Sequence, residues 1–125
     1  MTVSNLMRDV SGAVTYGLPF AQDAYSCTLS TSTDTTLTVP FLSPMGNMNL
    51  NGTQKTNIMA VFTFDPGASV WVANNVSASN PAGNTFAATS SELNPAVRYV
   101  NGGDVLHFFS IGTGVNVSVL FYSLD

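Results

Sequence analysis

Ile58-Met-Ala-Val-Phe-Thr-Phe64 is apolar on both faces of an extended chain. Successive side chains of a strand point to opposite sides, so Ile58, Ala60, Phe62 and Phe64 share one face and Met59 and Val61 the other. Branched and aromatic residues in a run this short, closed by the turn sequence Asp65-Pro66-Gly67, read as a strand. A strand of an antiparallel sandwich ordinarily has one core face and one wet face, whereas this one asks for cover on both.

Outward from it toward the C-terminus, residues 70–73 are expected to return as a hairpin partner carrying Trp71. A polar loop over 74–84, a short strand over 85–89 and a helical turn or loop at Ser91-Glu-Leu-Asn-Pro95 follow. Strands are expected over 97–100 and 105–110, joined by the tight turn Asn101-Gly-Gly-Asp104. Gly112-Thr-Gly114 reads as another hairpin turn into a last strand over 115–123. That strand sets Val115, Val117, Val119 and Phe121 on one face and Leu120 and Tyr122 on the other.

Toward the N-terminus, residues 43–56 form a long polar loop, and Leu37, Val39 and Phe41 make an apolar face in which Pro40 marks an edge or a strand end. Tyr25, Cys27, Leu29 and Thr31 alternate with polar residues as a half-buried strand. Residues 1–24 have no sustained period and read as an extended arm with Val3, Leu6, Met7, Arg8 and Val10 along it. Eight or so short strands with polar connections predict an all-β domain over residues 25–125: a two-sheet antiparallel sandwich, most simply a jelly roll. An immunoglobulin-like topology is the second choice, without the paired cysteines that would favour it.

The 125 residues suffice for one core. Charged residues are only 8% of the chain, so Ser, Thr and Asn must hydrate its surface. Three basic residues against seven acidic ones exclude the clustered Lys and Arg that nucleic acid asks for. No apolar run is long enough for a spanning helix, and the first residues lack a signal-peptide core, which together suggest cytosolic synthesis and no membrane partner.

Catalytic chemistry finds few materials. His107 is the one imidazole and Cys27 the one thiol, so neither a triad nor a His/Cys metal cluster can be assembled, and no cofactor is expected. Cys27 reads as a buried thiol and His107 as a buried or interfacial hydrogen-bonding residue on the face of Val105 and Phe109. Charging an imidazole in apolar surroundings is unfavourable, so acid is expected to weaken any assembly it supports. Asp65 and Asp104 sit in turn sequences, where a carboxylate bonds backbone. Trp71 reads as core, with a sugar platform flanked by Asn74 and Asn75 as the alternative.

Covering the second faces of strands 58–64 and 105–109 calls for a homo-oligomer, with Met59, Val61, His107, Leu120 and Tyr122 as interface candidates. The succession Phe62-Thr-Phe-Asp-Pro-Gly67, Asn94-Pro-Ala-Val-Arg-Tyr-Val-Asn-Gly-Gly-Asp104 and Val117-Ser-Val-Leu-Phe-Tyr122 resembles small tailed-phage structural proteins of jelly-roll type, the head decoration or cement proteins. The resemblance implies a homotrimer on the capsid surface of the virion, bound to the major capsid protein after synthesis in the host cytoplasm. The apolar arm residues would then be the capsid contact. The competing class is a phage fibre or carbohydrate-binding module that presents Trp71 or the Asn-rich loops to a glycan.

Overall fold

The computed structural model of the chain describes residues 20–42 and 57–124. Eight strands follow one another: β1 (Asp23–Leu29), β2 (Thr35–Thr38), β3 (Asn57–Phe64), β4 (Trp71–Asn74), β5 (Glu92–Leu93), β6 (Val97–Asn101), β7 (Val105–Phe109) and β8 (Val115–Ser123). No helix occurs among the described residues. The strands form two four-stranded antiparallel sheets, ordered β1-β8-β3-β6 and β2-β7-β4-β5. First pairs with last, second with seventh, third with sixth and fourth with fifth, the nested order of a jelly roll.

Side-chain alternation explains how the sheets face each other. Register sets Val119 of β8 opposite Tyr25 and Phe62, and Val117 opposite Cys27 and Phe64, so these residues share the inner face of the first sheet. Val72, Leu106 and Phe108 meet them from the second sheet, with Leu37 packed at the margin. The Phe62 and Phe108 rings touch edge to face at 6.1 Å between centroids, across the middle of the sandwich. Ile58, Val39, Val70 and Phe121 are completely enclosed, each contributing about 1.5–3 kcal/mol of transfer free energy.

Three turns that read as hairpins are crossings instead. Asp65-Pro66-Gly67 leads from β3 to β4, Asn101-Gly-Gly-Asp104 from β6 to β7 and Gly112-Thr-Gly114 from β7 to β8, each time into the other sheet. The local chemistry is as expected: Ala68 N–H donates to Asp65 O at 3.1 Å, Asp104 N–H donates to Asn101 O at 3.0 Å, and Gly67 and Gly103 take φ values of 77° and 90°. A turn fixes the reversal but not which edge the next strand joins. Here the reversal carries each apolar face round to meet its partner inside, and only β4 and β5 are both consecutive and paired.

The strand expected over 85–89 does not form, and the two-residue β5 takes its place in the count of eight. Residues 81–90 are all exposed and have no ladder partner among the described residues, whereas Glu92 and Leu93 pair with Val72 and Trp71. Asn94 locks this edge from a left-handed conformation, φ 44°. Its Oδ1 accepts the Val70 N–H and its Nδ2 donates to Ala68 O, both at 2.8 Å. Alongside, Arg98 of β6 reaches Glu92 of β5 at 2.6 Å and ties the two sheets at one margin. The guanidinium holds the Glu92 carboxyl below its usual range, and the carboxylate raises Arg98 in return. Both groups are largely exposed, so the pair contributes little.

Cys27 is exposed, which corrects the expectation of a buried thiol. It is level with Val117 on the inner side of its sheet, sharing a face with Tyr25 and Leu29. But β1 and β2 are outermost in their sheets, and a cleft of about 150 Å³ lined by Tyr25, Cys27, Leu37, Phe108 and Val117 stays open between them.

Candidate functional site

The outer face of sheet β1-β8-β3-β6 is graded along its strands. Met59 stands between Tyr122 and Tyr99, and Val61 between Leu120 and Val97, with Ala24 beyond Leu120. Two adjacent rows are therefore apolar or aromatic. The next row is Ser26, Ser118 and Thr63, and the last is Thr28 with Asn116, whose side chains bond at 2.6 Å. Asp65 closes that end, its Oδ2 accepting the Asn116 N–H at 2.9 Å.

Among the described residues the apolar half contains no Asp, Glu, Lys, Arg or His, and its polar side-chain atoms are the phenol hydroxyls of Tyr99 and Tyr122. Arg98, between Val97 and Tyr99 in sequence, points to the other side of the sheet and is engaged by Glu92. Within the half, Tyr122 is buried, Met59, Val61 and Leu120 are half-buried, and Val97 and Tyr99 are 42% and 79% exposed. Such a surface can make apolar contact with another surface of similar flatness.

Four of the five interface candidates from the sequence, Met59, Val61, Leu120 and Tyr122, are thus brought together. His107 is not among them. It lies on the outer side of the second sheet, level with Thr36 and Ala73, and its Nδ1 is 2.7 Å from Asp34 Oδ2. Val97 and Tyr99 belong to the face, yet only the pairing of β6 with β3 shows it; the alternation of Val97 and Tyr99 around Arg98 was the available signal. Val3, Leu6, Met7, Arg8 and Val10 of the expected capsid-contact arm lie outside the described residues, as does the loop over 43–56. Where the described chain begins, Asp23 and Ala24 already pair in β1, and Gln22 Oε1 accepts the Ser123 N–H at 3.1 Å.

On the second sheet, residues 75–91 cross the outer face and account for much of the second apolar side of β7. Asn75 N–H donates to Val105 O at 2.7 Å, then Ala78 N–H reaches Asp34 Oδ1 at 3.2 Å near the start of β2. Ser79 N–H returns to Ser91 Oγ at 3.1 Å beside β5. Ala73 and Ala78 are buried along this crossing. Trp71, level with Phe109 and Leu93, is half-buried on the same outer face rather than in the core cluster.

Asn74 and Asn75 are not beside the indole as sugar ligands. Their amides donate to Asp104 at 3.1 and 3.2 Å, and Asp104 also accepts the Asn101 N–H at 2.9 Å. Asp104 is thereby a structural hub of the β6–β7 crossing, in keeping with its place in a turn sequence. Comparison of the chain with protein-family models, curated proteins and solved structures finds no match.

Proposed function

We propose that this chain is a structural virion protein, a phage capsid decoration protein that assembles as a trimer on the head and stabilises it. The observation that carries the reading is the apolar half-face of Met59, Val61, Val97, Tyr99 and Leu120, with Tyr122 already buried among them within one chain. In a trimer this face of one copy meets a different patch of the next, and a threefold rotation closes the ring without leaving an open end.

Two further features agree with a shell component. The chain is rich in Ser, Thr and Asn with only 8% charge, which suits a layer of many neighbouring copies. The nested strand order is that of a jelly roll, an architecture that shell proteins use. Each trimer would hold the major capsid protein through three identical arms carrying Val3, Leu6, Met7, Arg8 and Val10. Linking contacts in this way raises avidity by roughly 10²–10⁴ without any strong single site.

Sedimentation velocity at micromolar concentration should find a species well above the 13.1 kDa of one chain, and that species should co-sediment with purified empty capsids. Removing residues 2–14 should abolish capsid binding and leave the oligomer and its melting temperature in place. A 13.1 kDa monomer would overturn the assembly, and an oligomer that ignores capsids would overturn the decoration role.

A further inference from the structure

The second sheet carries a groove of about 620 Å³ between Trp71 and residues 79–89. Its size falls within the range of small-ligand sites, roughly 300–1,000 Å³. The segment that walls it is fixed at its ends: Ala78 N–H is held by Asp34, Ser79 N–H by Ser91 Oγ, and Ser91 N–H by Thr89 Oγ1 at 3.1 Å. Its crown is open, and Phe86 there is fully exposed, a large apolar ring with no packing of its own.

The lining chemistry restricts what could fit. Trp71 and Phe86 offer aromatic surface, Asn80 and Asn84 offer amides, and Thr85 and Thr89 offer hydroxyls. No Asp, Glu, Lys, Arg or His among the described residues lines it. A phosphate, sulfate or carboxylate would give up part of its hydration against the aromatic rings without gaining a counter-charge from these residues, and so would an amine. A neutral polyol meets none of that cost: the C–H face of a pyranose ring packs on an aromatic ring, and its hydroxyls both donate to and accept from amides and hydroxyls.

We propose that this groove binds a neutral oligosaccharide, with Trp71 and Phe86 as the stacking surfaces and Asn84 as a hydrogen-bonding side chain. The site is on the opposite sheet from the assembly face, so a decorated shell could present it outward, and it stands or falls independently of the oligomer. It differs from a platform of Trp71 with Asn74 and Asn75, whose amides are committed to Asp104.

Trp71 is the single tryptophan of the chain, so its emission reports on this groove alone. The full-length protein is applied to an array of neutral hexose and N-acetylhexosamine oligosaccharides, with sialylated and sulfated glycans as the second arm. The tightest neutral binder is then titrated while tryptophan emission is followed. Expected are binding in the neutral arm, a saturable change in emission, and a loss of about tenfold or more in affinity for Phe86→Ala combined with Asn84→Ala. Phe86 and Asn84 are both exposed, so the melting temperature should not move. No binding to neutral glycans, binding confined to the acidic arm, unchanged emission, or full affinity in the double variant would each overturn the proposal.

Discussion

Asp34 and His107 are joined across the margin of β2 and β7, with Oδ2 2.7 Å from Nδ1. The other carboxylate oxygen accepts the Ala78 N–H at 3.2 Å, so one residue ties a strand, an imidazole and the crossing segment together. The imidazole has a carboxylate partner on the outer side of the second sheet rather than apolar surroundings. Asp34→Ala would leave the Ala78 N–H and His107 without this acceptor. A loss of about 1–3 kcal/mol is expected, with faster amide exchange at Ala78. Unchanged exchange at Ala78 would show that the segment is held by other means.

Val97 and Tyr99 are the exposed members of the apolar half-face. Replacing them together, Val97→Lys with Tyr99→Ser, places a charge and a small polar group in the interface while leaving the core untouched. Stability should change by no more than about 0.5 kcal/mol per exposed site, whereas the mass in light scattering should fall to one chain. An oligomer of unchanged mass would move the interface elsewhere.

Asp104 gives the fold a defined acid sensitivity. Partial burial opposes its charged form, but the Asn101 N–H and the Asn74 and Asn75 amides together outweigh that, and the carboxyl lies below its usual range. The unfolded chain therefore takes up the proton first. The stabilisation is complete above the ordinary carboxylate range, about pH 4, and is lost as pH falls through the lower folded value. Asp104→Asn should cost about 1–2 kcal/mol at neutral pH, the lower end for a charged hydrogen-bonding group because the site is only partly buried. Melting curves from pH 7 to pH 2.5 should show a shallower acid decline for this variant than for the native chain, and parallel declines would contradict the assignment.

Gly102 is dictated by Phe41. A Cβ at Gly102 would lie 2.5 Å from Phe41 Cδ1 and 2.8 Å from Cε1. Phe41 is 48% exposed, so Gly102→Ala should push its ring toward solvent and destabilise by about 1 kcal/mol, the low end for overpacking. In a Phe41→Ala background the same change should be nearly neutral, a coupling that a double-mutant cycle measures directly. Equal costs in both backgrounds would mean that Phe41 swings aside freely.

Cys27 faces the open cleft between β1 and β2. One equivalent of thiol should react with a disulfide reagent in the native protein, without denaturant. Reaction only after unfolding would place the thiol in a closed core.

Alternation alone was enough to read most of the strands and their faces. Val115, Val117, Val119 and Phe121 on one side, or Ile58, Ala60 and Phe62, follow from a period of two that any sheet imposes. Composition likewise settled the all-β class, because Ser, Thr, Asn and β-branched residues disfavour helix interiors. The two-residue β5 escaped, since two residues have no period, and residues 85–89 looked like a strand for want of any local sign that no partner would be near them.

Tertiary structure decided the rest, because pairing is a relation between distant residues. Asn101-Gly-Gly-Asp104 specifies a reversal equally well for a hairpin and for a crossing; only the meeting of inner faces across the sandwich selects the crossing. The same holds for function. Met59, Val61, Leu120 and Tyr122 could be named from the sequence, yet that they form one surface with Val97 and Tyr99 depends on β3 lying between β8 and β6. His107 left that group for the same reason: a residue's face is local and can be read from alternation, whereas the sheet it belongs to is set by contacts dozens of residues away.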